Sequence, residues 1–127
     1  MSQKSSSLCR ILATTAVIVA GLMSQQAFAH AHLKTETPAA DTTLKASPTE
    51  LSLGFSEGIE PSFSKVTLSG PNKKAVATGA LALAANDNTQ AIVPLTTPLS
   101  AGKYTVSWNV VSVDGHKTEG QYSFTVQ

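Results

Sequence analysis

The chain has 127 residues and a formal net charge of +1, so it is long enough for one modest domain and lacks the strong basic excess typical of nucleic-acid-binding proteins. Its single cysteine, Cys9, and both methionines, Met1 and Met23, lie within the first 23 residues. The rest of the chain therefore contains no disulfide, thiolate or thioether, and its stability must come from packing.

Residues 1–29 are organised like a cleaved secretory signal peptide. Two basic residues are followed by an apolar run that is short for a membrane span, and Ala27 and Ala29 occupy the positions that signal peptidase recognises. Cleavage there leaves an exported domain of residues 30–127, with seven lysines, eight acidic side chains and no second apolar segment that predicts a membrane span. A cut after Ala31 fits the same rule, and either cut exposes a histidine.

Beyond residue 29, turn signals separate short segments in which apolar and polar residues alternate, and this pattern predicts an all-β domain. In the first segment His30 and His32 share one face, while Ala31 and Leu33 share the other. Two alanine-rich segments alternate only weakly, and a loop or short helical turn is the alternative there. The predicted strands are residues 30–35, 51–56, 63–70, the alanine-rich segments 79–85 and 91–95, 102–113 and 122–126, with turns at 38–41, 70–72, 86–88 and 114–115.

The last third of the chain has the clearest alternation, because every second residue from Tyr104 to Val110 is apolar. The apolar phase then shifts by one residue, to Val111 and Val113, which predicts a β-bulge near residues 110–111. Short strands at this spacing, with one tryptophan on a late strand, predict a Greek-key β-sandwich.

The three histidines, His30, His32 and His116, lie in two short segments near opposite ends of the exported domain. A histidine at a free amino terminus is a bidentate ligand, because its α-amine and Nδ1 close a chelate ring on one metal ion. Both groups lose their protons near neutral pH, since an α-amine usually has a pKa of about 7.7–8.0 and an imidazole about 6.5. His116 adds a third nitrogen, and Asp114, two residues before it, offers a carboxylate oxygen. Three nitrogens and one oxygen suit tetragonal Cu(II), so we predict that the two segments meet and bind this ion.

The absence of sulfur narrows the choice of metal. Cu(I) prefers thiolate and thioether ligands, and a blue-copper electron-transfer centre requires a cysteine. The exported domain contains neither cysteine nor methionine. The available ligands therefore favour Cu(II) and argue against a pure Cu(I) carrier.

His32 is an auxiliary candidate. In a flexible peptide, a histidine in third position binds Cu(II) through the terminal amine, two deprotonated backbone amides and its own imidazole. In a strand, the amides of Ala31 and His32 are expected to be committed to hydrogen bonds. We therefore expect His32 to lie beside the metal, and to act as a replacement ligand only as a second choice.

Each of these assignments also has a simpler structural explanation. A terminal His-x-His is commonly a solvated chain end, and Asp-Gly-His is commonly no more than a hairpin turn. The metal-binding interpretation gains weight because both motifs occur in a domain with no other histidine, cysteine or methionine. Ser112, Asp114 and His116 are also the residue types of a hydrolase triad, but they are too close in sequence to form one, and no nucleophile-elbow motif is present.

Five segments match a known pattern: His30–Leu33, Pro38–Ala40, Leu53–Gly58, Gly102–Trp108 and Val110–Lys117. By these segments the domain resembles the CopC family of periplasmic copper-resistance proteins, and especially its small YobA-like branch. The resemblance covers essentially the whole exported domain. It is most specific in the last segment taken together with His30.

The resemblance implies a cupredoxin- or immunoglobulin-like β-sandwich whose Cu(II) site uses the amine and imidazole of His30 together with Asp114 and His116. It also implies a CopD-like inner-membrane protein as a partner. Some members of the family carry a methionine-rich Cu(I) site. The exported domain has no methionine, so Cu(I) binding is not carried over to it.

These observations predict a periplasmic Cu(II)-binding protein without catalytic turnover, which sequesters copper for resistance and homeostasis or delivers it to an inner-membrane copper transporter. One alternative is a copper-dependent oxidative enzyme of the histidine-brace type, which needs an open coordination position that Asp114 would occupy and an aromatic substrate surface. Another is a metal-free envelope sandwich, in which His116→Ala would change only the local turn.

Overall fold

Nearly all regular structure in the protein is β-strand, as the alternation of apolar and polar residues between turn residues predicts. The computed structural model describes residues 31–127, and the predictions for the signal peptide and for His30 lie outside this range. No helix among the described residues is long and apolar enough to cross a membrane. The strands are β1 (Leu33–Thr37), β2 (Thr43–Leu44), β3 (Glu50–Phe55), β4 (Lys65–Ser69), β5 (Ala75–Val76), β6 (Ala82–Ala84), β7 (Asp87–Pro94), β8 (Gly102–Val111) and β9 (Lys117–Val126), with 3₁₀ turns at Pro61–Phe63 and Pro71–Lys73.

The nine strands form two sheets, with strand orders β1-β3-β7-β6 and β2-β9-β8-β4-β5. The paired strands are antiparallel, except that β2 runs parallel to β9. The chain crosses between the sheets five times, and two of these crossings, β3 to β4 and β7 to β8, interlock because β3 pairs with β7 and β4 pairs with β8. This interlocked arrangement is typical of a Greek-key β-sandwich, so the predicted fold class is confirmed.

One apolar cluster fills the space between the sheets. It forms because every second residue of each strand faces the same side, which buries side chains such as Leu53 of β3 and Phe124 of β9. The ring of Phe55 meets the ring of Trp108 from the opposite sheet in an edge-on contact, with the ring centroids 5.3 Å apart. The core therefore joins the two sheets at β8, the strand that leads to the predicted metal-binding loop.

Several predicted strands are present with shifted limits. β1 begins at Leu33, and the two alanine-rich segments form the β6–β7 hairpin instead of a loop or helical turn. The turn of this hairpin is Ala85–Asn86, and Asn86 has φ 62°, a left-handed conformation that asparagine tolerates. Phe63, predicted to begin a strand, lies in a 3₁₀ turn and is 73% exposed.

The predicted β-bulge near residues 110–111 is wrong. β8 and β9 pair without a register shift along their whole length. The inward phase continues from Val110 to Ser112, which is completely buried, while Val113 is 54% exposed. A polar residue, Ser112, therefore continues the inward-facing positions of β8. A pattern of apolar residues alone does not reveal such a position.

The side chain of Tyr122, which points inward from β9, generates a prediction about stability. Its hydroxyl oxygen is buried and has no hydrogen-bond partner within residues 31–127. Because an unpaired buried hydroxyl contributes nothing favourable, Tyr122→Phe should leave the free energy of unfolding at pH 7 unchanged or raise it by up to about 1 kcal/mol. Urea unfolding measures this difference. Tyr104→Phe is the control, because Tyr104 donates a 2.7 Å hydrogen bond to the Ser100 carbonyl, and its loss should cost about 1 kcal/mol.

Tyr122→Phe should also alter how the free energy of unfolding changes at alkaline pH. Burial raises the pKa of Tyr122 above its usual value of 10.0, and the negative charge of Glu36 raises it further. The Tyr122 hydroxyl therefore loses its proton at a lower pH in the unfolded chain than in the folded protein. Its contribution to the free energy of unfolding is complete below the pKa of the unfolded chain and is lost as pH rises above about 10. Tyr122→Phe should lose less stability than the original protein between about pH 8 and about pH 11. An equal or larger loss in the variant would contradict this account.

Candidate metal site

The loop that joins β8 to β9, residues 112–116, carries two of the predicted ligands. The Ser112 amide donates to the His116 carbonyl at 2.9 Å, and the Gly115 amide donates to the Ser112 carbonyl at 2.8 Å. Gly115 has φ 91°, in the left-handed region that favours glycine. The predicted turn at Asp114–Gly115 is confirmed, and backbone hydrogen bonds hold the loop closed.

Asp114 and His116 contact each other in this loop, with Asp114 Oδ1 3.1 Å from His116 Nδ1. Their side chains are 40% and 47% exposed, so the pair is accessible to a dissolved ion. The Ser112 hydroxyl donates a hydrogen bond to the same Asp114 oxygen. This hydrogen bond, followed by the contact with His116, lowers the pKa of Asp114 below its usual value of 3.8. The carboxylate is therefore ionised at neutral pH and offers a negative charge to a cation.

A neighbouring segment braces the loop from the side. The Val113 amide donates to the Gly58 carbonyl at 2.9 Å, and Ile59 forms an antiparallel bridge with Ser112. Ile59 is itself part of the apolar core. The candidate ligands therefore lie on a backbone that the sandwich holds in place.

The start of the described chain lies against the same hairpin. Ala31 is buried in the core, and its carbonyl accepts a 2.8 Å hydrogen bond from the hydroxyl of Thr118, two residues after His116. His32 is exposed, and its amide donates to the Ser56 hydroxyl at 2.8 Å while its carbonyl accepts from the Ser56 amide at 2.8 Å. The segment is therefore fixed on one side to β9 and on the other to the end of β3.

The structure brings Asp114 and His116 together and places His32 on the adjoining amino-terminal segment. His30, the predicted chelating residue, lies outside the described residues, so the site with three nitrogen ligands stays a prediction. Within residues 31–127, histidine, cysteine and carboxylate side chains form no group of three suited to holding a metal ion. Asp114 and His116 are thus the described half of the predicted site.

The His32 amide is committed to a hydrogen bond, but its partner is the Ser56 hydroxyl and not the strand ladder that was predicted, because β1 begins only at Leu33. Binding of Cu(II) through the deprotonated amide of His32 would break this bond and loosen the segment from the end of β3. The geometry therefore disfavours the peptide-like chelate and is consistent with an auxiliary position for His32.

Two hydroxyls that hold this region, those of Ser112 and Thr118, were not predicted from the sequence as site residues. Ser112 sits at an inward position of the β8 phase, directly before the Asp-Gly-His segment, and a polar residue in an apolar phase is the signal that identifies it. Thr118 gives no such signal, because its partner Ala31 is 87 positions away in sequence.

The spacing of Asp114 and His116 fits two neighbouring ligands of one ion. A divalent ion such as zinc binds nitrogen and oxygen at about 2.0–2.2 Å, so two ligands at right angles are about 3 Å apart. The observed separation of Asp114 Oδ1 and His116 Nδ1 is 3.1 Å.

Comparison with known proteins indicates one family. A family model described as the CopC domain matches residues 33–127. Protein YobA of Escherichia coli strain K12 is 43% identical over 112 residues, which cover 88% of this chain and 90% of YobA. Copper resistance protein C of Xanthomonas campestris pv. juglandis is 37% identical over 124 residues, which cover 93% of this chain and 97% of that protein. The crystal structure of PcoC, a methionine-rich copper resistance protein from Escherichia coli, matches with a TM-score of 0.71 and 36% identity, over 78% of this chain and 100% of PcoC.

The hydrogen bond between Thr118 and Ala31 generates a prediction about the amino-terminal segment. Thr118→Val keeps the approximate shape of the side chain and removes the donor, so the carbonyl of a buried residue loses its partner. The free energy of unfolding in urea should fall by about 0.5–1.5 kcal/mol. The His32 amide should also exchange its hydrogen faster in NMR measurements, because the segment opens more readily.

Thr105→Val is the matched control for this experiment. It removes a 3.1 Å hydrogen bond between Thr105 and Ser123, which join β8 and β9 away from the loop. It should lower stability without a selective increase in His32 exchange. The same selective increase in both variants would contradict an anchoring role for Thr118.

Proposed function

Because the chain belongs to the CopC family, we propose that it is a periplasmic protein that binds one Cu(II) ion and sequesters it or delivers it, without catalytic turnover. Relatives named for copper resistance support a copper-related function. The observation that carries the finer proposal is the Asp114–His116 pair, held on a braced hairpin beside the amino-terminal segment.

We further propose that residues 1–29 are removed on export, so that His30 becomes the first residue and gains a free α-amine. His30 is bonded to Ala31, whose carbonyl is held by Thr118 on the strand that follows His116. Since consecutive Cα atoms are about 3.8 Å apart, the anchored position of Ala31 supports a terminal residue close to the hairpin.

In the proposed site, the His30 amine and Nδ1 form a chelate, His116 supplies the third nitrogen, and Asp114 supplies an oxygen and a negative charge. The 3.1 Å spacing of Asp114 and His116 supports their use as neighbouring ligands. The low pKa of Asp114 supports a carboxylate that is already ionised when copper arrives. His32 lies beside this set as an auxiliary group.

The ligand types support Cu(II) as the ion that is carried. Nitrogen and oxygen ligands in a tetragonal arrangement suit Cu(II), which also stands highest in the divalent affinity series. PcoC is a methionine-rich protein, whereas this chain has no methionine beyond Met23. A thioether site for Cu(I) is therefore not proposed for the exported domain.

A carrier role is proposed in preference to an oxidative enzyme of the histidine-brace type. Oxygen chemistry needs an open coordination position, which Asp114 would occupy in the proposed site. In the carrier role, a CopD-like inner-membrane protein is the proposed partner for copper transfer. Peroxide formation by the copper-loaded protein with a reductant would favour the enzyme instead.

The terminal chelate is tested by intact mass measurement of the exported protein, without copper and after one equivalent of Cu(II). The original protein should begin at His30 and retain one copper ion. A variant with one extra residue before His30 should retain none, because a peptide bond replaces the α-amine. The matched control carries the extra residue after Gln127 and should bind copper normally.

The outcomes of this measurement distinguish the terminal chelate from a site elsewhere and from a protein without metal. Loss of copper only in the amino-terminal extension supports the chelate. Equal binding by both extended variants would place the site elsewhere. Absence of copper from the original protein would favour the metal-free envelope sandwich.

The proposed ligand set also predicts a pH dependence. Protons compete with Cu(II) for the ligand nitrogens, so the apparent affinity should be lower at pH 5 than at pH 8 by more than about tenfold. A competition titration at the two pH values measures this ratio. Far-UV circular dichroism at pH 5 confirms that the fold persists, and equal affinity at both values would contradict nitrogen ligation.

A further inference from the structure

We propose that Ser112 is a positioning residue of the copper site, whose buried hydroxyl fixes the Asp114 carboxylate and the His116 backbone before copper binds. This inference rests on the proposed function, because it concerns the same two ligands. Ser112 is completely buried and is the one buried polar residue within the range 31–127. Its hydroxyl contacts both candidate ligands.

The contacts of Ser112 converge on the loop. Its hydroxyl donates to Asp114 Oδ1, accepts a 3.3 Å hydrogen bond from the His116 amide and lies 3.3 Å from the His116 carbonyl oxygen. Its own amide donates to that carbonyl at 2.9 Å, and Ile59 bridges it from the neighbouring segment. The hydroxyl oxygen is therefore a fixed point around which the two ligands are arranged.

The core by itself gives no reason for a hydroxyl at this position. The preceding inward residues of β8 include Tyr104, Val106 and Val110, all buried in the apolar cluster. Burying a hydroxyl costs free energy unless hydrogen bonds compensate for it. At Ser112 the compensating partners are the two candidate ligands, so the cost of burial is offset through the site itself.

A hydrogen-bond donor fixed behind a carboxylate limits the rotation of that carboxylate. Groups that orient metal ligands in this way are typically worth about 10–100-fold in metal affinity. Asp114 Oδ1 receives the Ser112 hydroxyl on one side and faces His116 Nδ1 on the other. Without the hydroxyl, Asp114 Oδ1 would keep only its contacts with His116, the 3.1 Å contact with Nδ1 and a 3.4 Å hydrogen bond from the amide, so the carboxylate would be held less firmly before copper binds.

The test compares Ser112→Ala with Ser112→Thr, which keeps the hydroxyl, and with Ser123→Ala as a matched control. Ser123→Ala removes a hydroxyl hydrogen bond to Thr105 on the same pair of strands, away from the loop. The probe is Cu(II) alone, added to the processed protein. The readouts are affinity by competition titration, the electron paramagnetic resonance spectrum of bound Cu(II), and thermal unfolding without copper.

Ser112→Ala is expected to bind Cu(II) about 10–100-fold more weakly, with a broadened or altered resonance spectrum. Ser112→Thr should retain most of the affinity and the original spectrum, and Ser123→Ala should match the original protein in both. An unchanged affinity and spectrum in Ser112→Ala would overturn the proposal. Equal losses in the Ala and Thr variants would also overturn it, because packing and not the hydroxyl would then be responsible.

Failure of this inference is distinguishable from failure of the proposed function. If the original protein binds copper and His116→Ala does not, the site stands and the Ser112 variants test only the positioning role. If the original protein binds no copper, both proposals fall.

If Ser112→Ala does not fold, a measurement on the original protein tests whether Asp114 is fixed before copper binds. NMR scalar couplings of the copper-free protein should show a single side-chain rotamer for Asp114. Averaged rotamers there would overturn the proposal, since the carboxylate would not be fixed before copper binds.

Discussion

The unbroken register between β8 and β9 is the constraint on which the candidate site depends. Ten residue pairs hold these strands together up to the loop, which leaves the loop little freedom. Because side chains alternate across a strand, Ser112 follows Val110 into the core, and the loop that comes next leaves Asp114 and His116 at the surface. The geometry of the two candidate ligands is therefore set by an apolar core that lies mostly outside the loop.

Much of the fold follows from the sequence because strand alternation is a local property. The burial of Leu53 and Phe124 and the tight turn at Asp114–Gly115 all come from patterns a few residues long. The predicted bulge failed for a physical reason: Ser112 is buried through its hydrogen bonds, and an apolar pattern counts such a residue as exposed. The alanine-rich β6–β7 hairpin was ambiguous, since alanine has little preference for strands and its turn depends on Asn86 in a left-handed conformation.

The contact between Asp114 and His116 was predictable from the sequence, and the contacts that support it were less so. Asp114 and His116 are two positions apart, so chain geometry alone keeps them near each other. The contacts that fix their surroundings are long-range: Thr118 meets Ala31 across 87 positions, and Ser56 meets His32 across 24. No local pattern encodes such pairs, because the first forms only after the two sheets have packed and the second only after β1 has paired with β3.

The contact between Thr118 and Ala31 also has a consequence for the mechanics of the chain. It closes a loop that contains nearly the whole described domain, in a chain whose single cysteine excludes an internal disulfide. A copper ion bound jointly by His30 and His116 would tie the same loop as a reversible cross-link. In simple polymer models, a covalent cross-link across a loop of this length lowers the entropy of the unfolded chain and so raises the free energy of unfolding by about 4–5 kcal/mol. The bound ion would then also stabilise the folded chain, and the copper-loaded protein would resist proteolysis longer than the protein that has released its ion.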